Sequence, residues 1–180
     1  MHALRAAIAI AWIIFLVYWL AAAFGAKEGR AGGRPFPMTG LTALSVLLLL
    51  RVFRGGSLAV HSLVLEAIGA AVFASGLAVA VWARVHLGRN WGMPMTQKVE
   101  PELVTSGPYR LIRHPIYSGL LAGLLGTALA NNLLGLIIVA ILGAYFYYSA
   151  TVEEKNLTAT FPTAYPAYRA RTKKLIPFVL

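Results

Sequence analysis

The chain has 180 residues, of which 59% are hydrophobic and 12% charged, with a formal net charge of +10. A soluble domain carries roughly twice that charged fraction, so apolar residues gathered in long blocks mark an integral membrane protein. The absence of cysteine excludes a disulfide framework, a thiolate zinc site, an iron–sulfur cluster and a cysteine nucleophile, and in a membrane chain the surplus of basic residues reads as cytoplasmic-side charge rather than nucleic-acid binding.

The first apolar block, about Ala6–Phe24 behind Arg5, is longer than the core of a signal peptide and is followed by further blocks, so it reads as a retained helix. A Gly- and Pro-containing loop with Lys27, Glu28, Arg30 and Arg34 leads to a short second span, about Met38–Phe53, with Arg51 and Arg54 at its end. The third span runs from about Leu58 to Ala83. Arg84 to Pro115 is a long polar loop with prolines at 94, 101, 108 and 115; loops of that length inside a compact chain are commonly functional. Two shorter apolar arms follow, about Ile116–Ala130 and Leu133–Ala150, joined at Asn131-Asn132. They form a helical hairpin whose first arm carries Ser118, Gly119, Gly123 and Gly126 along one side, small residues that let helices approach closely. The tail from Thr151 to Leu180 is polar and basic, with an apolar patch at Leu175-Ile176-Pro177-Phe178.

This reading predicts an all-α integral membrane protein with five transmembrane helices. Residues 1–83 form three N-terminal spans; residues 84–180 form a core of loop, hairpin and tail. With five spans, the 25–37 loop, the 84–115 loop and the tail share one side and hold 3, 5 and 5 Lys/Arg, 13 of the 16, while the other side holds Arg5, Arg51 and Arg54. That split predicts an outside N-terminus and a cytoplasmic C-terminus.

Antiparallel hairpin arms bring the start of the first beside the end of the second. Tyr109, Arg110, Arg113, His114, Tyr117, Glu153 and Glu154 are therefore expected at one cytoplasmic end. The four histidines, at 2, 61, 86 and 114, have no metal-ligand spacing, so no metal is expected. Gly-x-Ser-x-Gly and a strand-borne Gly-x-Gly-x-x-Gly are both absent. Aromatics, histidine, carboxylates and arginine at a membrane edge suit an adenosine-containing cofactor without saying which. Glu66, a carboxylate inside the third span, is a candidate for function on its own, although His61 or Arg54 could partner it.

Two blocks resemble the isoprenylcysteine carboxyl methyltransferase family and the related phospholipid methyltransferases. The first is Leu103-Val104-Thr105-Ser106-Gly107-Pro108-Tyr109-Arg110-Leu111-Ile112-Arg113-His114-Pro115-Ile116-Tyr117-Ser118-Gly119; the second is Glu153-Glu154 followed by Phe161-Pro162, Tyr165, Tyr168 and Leu175-Ile176-Pro177. The resemblance implies S-adenosylmethionine as methyl donor, bound in a pocket built by the 84–115 loop and the tail. Carried over by position, it assigns cofactor contacts to Pro101, Glu102, Leu103, Val104, Tyr109, His114, Pro115, Ile116, Tyr117 and Glu153, and catalytic roles to Arg113, His114 and Glu154. It implies carboxyl O-methylation of an isoprenylcysteine-like acceptor that enters from the bilayer, at the cytoplasmic side of a bacterial inner membrane. Phospholipid N-methylation, an NADPH-dependent reductase related to the sterol reductases and a non-catalytic membrane scaffold are the alternatives. One position departs from the pattern: where methyltransferases of prenylated proteins carry an arginine shortly before the glutamates, this chain has Ser149. Gln97 likewise lies out of register with a family glutamine.

Overall fold

A computed structural model describes residues 2–24, 29–30, 56, 58–91, 97–98 and 101–177. Helix α1 (His2–Ala23) is the first apolar block. Helix α2 (Leu63–Leu87) begins at Ser62, whose side chain accepts from the Leu65 amide and so satisfies an otherwise free first-turn donor. Helices α3 (Pro115–Asn131) and α4 (Gly135–Thr160) are the arms of the hairpin, and α5 (Ala164–Ala170) is a short helix in the tail.

Three of these, α1, α2 and α4, are long and apolar enough to cross a membrane. Helix α3 is apolar but has 17 residues, about 25 Å at 1.5 Å per residue, short of a 30 Å hydrocarbon core. The expected second span, Met38–Phe53, lies outside the described residues, as do Arg51 and Arg54. Among the described residues there are therefore three candidate spans, and the expected five are not demonstrated. Extended pairing also occurs: Gly29–Arg30 (β1) runs antiparallel to Gln97–Lys98 (β2), with Gly29 opposite Lys98. This two-residue ladder departs from an all-helical reading because two loops at the same end satisfy each other's main-chain groups.

The centre of the fold is the α2–α3 pair. The buried face of α2 is Glu66, Gly69, Phe73, Gly76, Ala80 and Ala83, a three-and-four spacing that faces one partner. Opposite it, α3 buries Gly119, Gly123 and Gly126. The two backbones touch: a methyl group built on Gly69 would lie 2.5 Å from the Ala130 nitrogen, and one on Gly126 would strike the backbone of Phe73. Helix α1 leans on this pair through Ile8, Trp12 and Phe15, and the Trp12 indole donates to Thr127 Oγ1 at 3.0 Å.

The two ends of the bundle differ. At one, the residues before α2 clasp the hairpin turn, with Val60 N donating to Asn131 O and Leu133 N to Leu58 O, both at 3.0 Å. Arg5 joins there by donating to Val60 O at 3.1 Å. Glu66 is buried in the first turn of α2, and its Oε1 has no hydrogen-bond partner among the described residues, His61 included. At the opposite end, Arg84 donates to Gly88 O at 2.7 Å and to Ala22 O at 2.5 Å, tying the last carbonyls of two helices together. Its guanidinium also lies over the Trp91 ring, 4.8 Å from the centroid.

Helix α4 runs beyond the apolar arm, which the sequence ends near Ala150, and continues to Thr160. Threonine hydroxyls at 151, 158 and 160 are satisfied by carbonyls four residues back, and the two glutamates find partners outside the helix, so its polar continuation needs no apolar face. Close α2–α3 contact sets a clear expectation. Gly126→Ala lowers stability by about 1–3 kcal/mol, read as a drop in thermal unfolding midpoint in detergent. Gly143→Ala, whose new methyl meets nothing nearer than Leu121 Cδ2 at 3.9 Å, leaves the midpoint within a degree or two.

Candidate functional site

Four segments converge at the Arg84 end of the bundle: the turn after α2, the 101–118 segment, the C-terminal half of α4 and the tail. The 101–118 segment folds as it does for local reasons. Gly107 has φ +57°, a left-handed conformation natural to glycine, and it opens a 3₁₀ turn, Gly107–Arg110, that buries Pro108 and Tyr109. Pro115 then begins α3, where its missing amide costs nothing.

The tail is stitched along this segment. Arg113 N donates to Lys173 O at 2.8 Å and His114 N to Lys174 O at 3.1 Å. Ser118 Oγ donates to Leu175 O at 2.5 Å. The first and second motif blocks thus meet through backbone bonds, and the Leu175 patch enters the same core as Tyr109, Ile116, Tyr117 and Phe146.

Beneath the stitching lies a charged cluster. Glu154 is 4% exposed and receives a 2.7 Å bond from Arg113 Nε; the same guanidinium donates to the carbonyls of Arg169 and Thr172. Lys174 Nζ is 3.8 Å from Glu154 and donates to Thr151 Oγ1 at 2.9 Å. His114 lies between the two glutamates, Nδ1 3.4 Å from Glu153 Oε2 and Nε2 3.3 Å from Glu154 Oε1. Nε2 is near enough for charge pairing but lacks hydrogen-bond alignment. Burial works against a charged imidazole here, but the two carboxylates outweigh it and raise the His114 pKa above its ordinary 6.5. The ring stacks on Tyr117, with centroids 5.5 Å apart and planes 5° apart, and Tyr117 stacks on Phe146 at 4.6 Å. The Tyr117 hydroxyl donates to Glu153 Oε1.

Above this cluster is a cavity of about 200 Å³. Of the residues that the motif blocks single out, Pro101, Glu102, Leu103, Val104, Tyr109, Arg113, His114, Ile116, Tyr117 and Glu153 line it. Pro115 and Glu154 are not in its wall: Pro115 is buried in the first turn of α3, and Glu154 lies behind the wall, paired with Arg113 and 3.3 Å from His114, both of which line it. Arg110 is exposed. Leu87, Asn90, Trp91, Asn156, Leu157, Tyr165 and Tyr168 complete the lining and were not picked out as site residues from the sequence. Asn156 and Leu157 follow Glu153 by three and four residues, and that spacing on a helix that continues past Ala150 was the available signal. Tyr165 and Tyr168 stand in the quoted second block. Leu87, Asn90 and Trp91 fall within the 84–115 loop that the resemblance assigns to the pocket, without being singled out there as contacts.

The wall is aromatic and acidic. Trp91 is held edge-on by Trp19, with centroids 5.7 Å apart. Asn90 Nδ2 donates to Glu102 Oε2 at 3.3 Å. Tyr168 donates to Tyr109 O at 2.6 Å, and burial, partly opposed by Arg113, pushes its phenol up to about 12. Tyr109 and Tyr165 are pushed up as well, burial being the largest cause. All three remain protonated donors near neutral pH. Ser149 is fully buried on α4, and its hydroxyl has no hydrogen-bond partner among the described residues. Among the described residues, no group of three or more histidines and carboxylates could hold a metal ion.

Residues 64–164 match the family described as phospholipid methyltransferase. The chain belongs to that family. Members and relatives of this phospholipid methyltransferase group frame the site. The chain is 32% identical over 101 residues to a protein-S-isoprenylcysteine O-methyltransferase of Schizosaccharomyces pombe, covering 54% of this chain and 43% of that one. It is 34% identical over 94 residues to the cobalt-zinc-cadmium resistance protein CzcN of Cupriavidus metallidurans, covering 51% and 43%. It therefore spans under half the length of these two curated relatives. Among solved structures it resembles the eukaryotic intramembrane Ras methyltransferase ICMT, with TM-score 0.61 and 25% identity, over 82% of this chain and 55% of that one. The membrane methyltransferase architecture is thus shared, and the matched residues include both motif blocks up to α5.

Removing one partner of a buried ion pair leaves the other charge uncompensated and costs about 3–5 kcal/mol. Glu154→Gln is expected to destabilise the protein by about that much, seen as a lower unfolding midpoint. The raised His114 pKa has its own signature. The group stabilises the fold fully below pH 6.5, and that contribution is lost as pH rises through the higher folded value. The unfolding midpoint, scanned from pH 6 to 9, should fall over that window in the wild type and flatten in His114→Gln.

Proposed function

We propose that the cavity binds S-adenosylmethionine and that the chain transfers its methyl group to a lipophilic acceptor. The observation that carries this is a cavity lined by aromatic faces and by the carboxylates of Glu102 and Glu153, at the polar end of an apolar bundle. Such a lining fits a ligand that combines a flat base, ribose hydroxyls and a positive charge: rings pack the base, carboxylates accept from hydroxyls, and both attract the cation. Bound there, the cofactor supplies an already activated electrophilic methyl on a sulfonium.

The chain's own residues orient and exclude water. Glu153 is held at both oxygens, one by the Tyr117 hydroxyl and one by His114, which keeps its carboxylate in a single orientation. Glu154 takes a positioning role in this reading: it holds Arg113 and His114 from behind the wall. Arg113 in turn ties the tail to the wall through the carbonyls of Arg169 and Thr172, a contact that in this reading helps exclude water. Alignment and desolvation are then the main sources of rate. The 13 to 3 division of basic residues supports a cytoplasmic orientation for the cavity end, and the acceptor enters laterally from the bilayer.

For the acceptor, the names of the relatives favour the carboxylate of an isoprenylcysteine-like substrate, which is ionised and needs no base. A specific observation favours a second reading, an amine as in a phospholipid headgroup. Ser149 stands where those enzymes carry a carboxylate-binding arginine, and Arg113 is paired with Glu154. The wall keeps Glu102 and Glu153. An ammonium would be drawn to these carboxylates, and Glu153 is suited to accept the proton that the amine must lose.

Calorimetry with S-adenosylmethionine and NADPH separates the methyltransferase from a reductase or a scaffold: binding of the first only is expected, and binding of NADPH alone sinks the proposal. Labelled methyl transfer should then appear on N-acetyl farnesylcysteine or on an extracted lipid fraction, which distinguishes the two acceptors. Glu153→Ala should weaken cofactor binding about tenfold or more while leaving a monodisperse protein; unchanged affinity removes Glu153 from the site.

A further inference from the structure

The cofactor cavity has a neighbour. A second recess lies between the end of α2 and the 102–106 segment, where His86, Arg89, Thr105 and Ser106 line it. It shares Leu87, Asn90, Glu102, Leu103 and Val104 with the cofactor cavity, so the Asn90–Glu102 hydrogen bond stands in a wall common to both. An acceptor lying across that wall would have one group beside the methyl donor and another in the recess.

Arg89 is the cation of this recess. It is exposed and makes no hydrogen bond or ion pair with another described residue. The other arginines of α2 and the 101–118 segment are engaged or lie elsewhere. Arg84 donates to the carbonyls of Gly88 and Ala22, Arg113 pairs with Glu154, and Arg110 lines neither cavity. Beside Arg89, the His86 ring is wedged in place. Trp82 meets it with centroids 5.8 Å apart and planes at 90°, and a methyl group built on Gly107 would strike its Cδ2. Glycine at 107 thus leaves room for that ring as well as making the left-handed turn. A guanidinium with uncommitted donors, flanked by an imidazole and two hydroxyl-bearing residues, suits a phosphate.

The depth of the recess points to a lipid. Trp82 and Val85 are 47% and 62% exposed on a helix apolar enough to cross a membrane. Exposed apolar side chains on such a helix face acyl chains, and a tryptophan near its end marks the interface. His86 and Arg89 follow Trp82 within about two turns, which sets them at the level of the headgroups, where basic side chains meet lipid phosphates.

We propose that Arg89, with His86, binds the phosphate of a phospholipid acceptor whose headgroup amine reaches over the Asn90–Glu102 wall toward the methyl donor. The inference deepens the amine reading above and rests on it. A carboxylate that is itself methylated must lie in the cofactor cavity, and an arginine across the wall is misplaced for it. A phosphate a few bonds from its amine fits both compartments at once.

The test is calorimetry on the detergent-solubilised full chain as wild type, Arg89→Gln and Arg110→Gln. Each is titrated with S-adenosylmethionine, dihexanoyl phosphatidylethanolamine, N-acetyl farnesylcysteine and inorganic phosphate. Arg89→Gln should weaken the phospholipid about tenfold, the worth of a hydrogen bond to a charged group. Arg110→Gln, which removes the same charge from outside the recess, should not. Affinity for S-adenosylmethionine should be equal in all three, which also shows that the variants are folded. Phospholipid affinity unchanged in Arg89→Gln, or lowered equally in Arg110→Gln, overturns the proposal. So does a loss confined to N-acetyl farnesylcysteine, which would give Arg89 to a carboxylate, and so does inorganic phosphate that binds as tightly as the lipid. Wild type that binds S-adenosylmethionine but no phospholipid ends the amine reading and this subsite together. Wild type that binds no S-adenosylmethionine defeats the cofactor reading itself, a separate result because it comes from a separate titration.

Discussion

The site depends on one imidazole held between two adjacent carboxylates. Neighbouring glutamates on a helix point about 100° apart, so Glu153 and Glu154 cannot share a surface. His114 makes that divergence useful. One ring nitrogen faces Glu153 in the cavity wall, and the other faces Glu154 behind it. The two carboxylates favour the proton on the ring, so the imidazole is held by both. It also passes the rigidity of the Arg113–Glu154 pair to the carboxylate in the cavity wall. The Tyr117–Phe146 stack fixes the plane of the ring, so the cluster has little freedom to turn. The energy in the buried charges acts less as net stability than as positioning, the use for which buried ion pairs are best suited.

Rigidity at one end requires rigidity along the bundle. Helices α2 and α3 touch backbone to backbone at Gly69, Gly76, Gly119 and Gly126, and in lipid such close packing substitutes for the hydrophobic drive that water would supply. The contact sets the position of the end of α2, where Arg84, Asn90 and Trp91 stand, relative to the start of α3, where His114 stands. The site has walls from both helices, so a slip between them would open it.

Much of this was legible in the sequence. Antiparallel arms joined at Asn131-Asn132 imply that the start of one lies beside the end of the other, and His114 and Glu153 lie 3.4 Å apart. The small residues of α3 announced a close partner but not which one; α2 supplies it with glycines at 69 and 76 that read as ordinary apolar-span residues. The continuation of α4 to Thr160 was hidden because its last turns carry no apolar face, and helix length was being read from hydropathy. Trp91 and Asn90 lie in the 84–115 loop that the resemblance assigns to the pocket, but their individual place in the wall comes from the packing of α2, a contact between residues far apart in the chain. That the Tyr165 hydroxyl finds no partner among the described residues is a property of tertiary structure alone, since Tyr168 has the same residue type and nearly the same burial but a partner.

Ser149 connects these points. It precedes Glu153 by four residues, so on α4 an arginine there would lie one turn below that carboxylate and on the same face. Such a pair would compete with His114 and Tyr117 for Glu153 and would neutralise the acidic side of the cavity. With serine, the side chain is fully buried and the turn packs without charge. Glu153 keeps Tyr117 and His114 at its two oxygens and still lines the cavity. The small residue thus does more than remove an anchor for a carboxylate. It leaves the wall acidic at Glu102 and Glu153, which under the proposed function favours a positively charged donor and an acceptor that arrives neutral or as a cation.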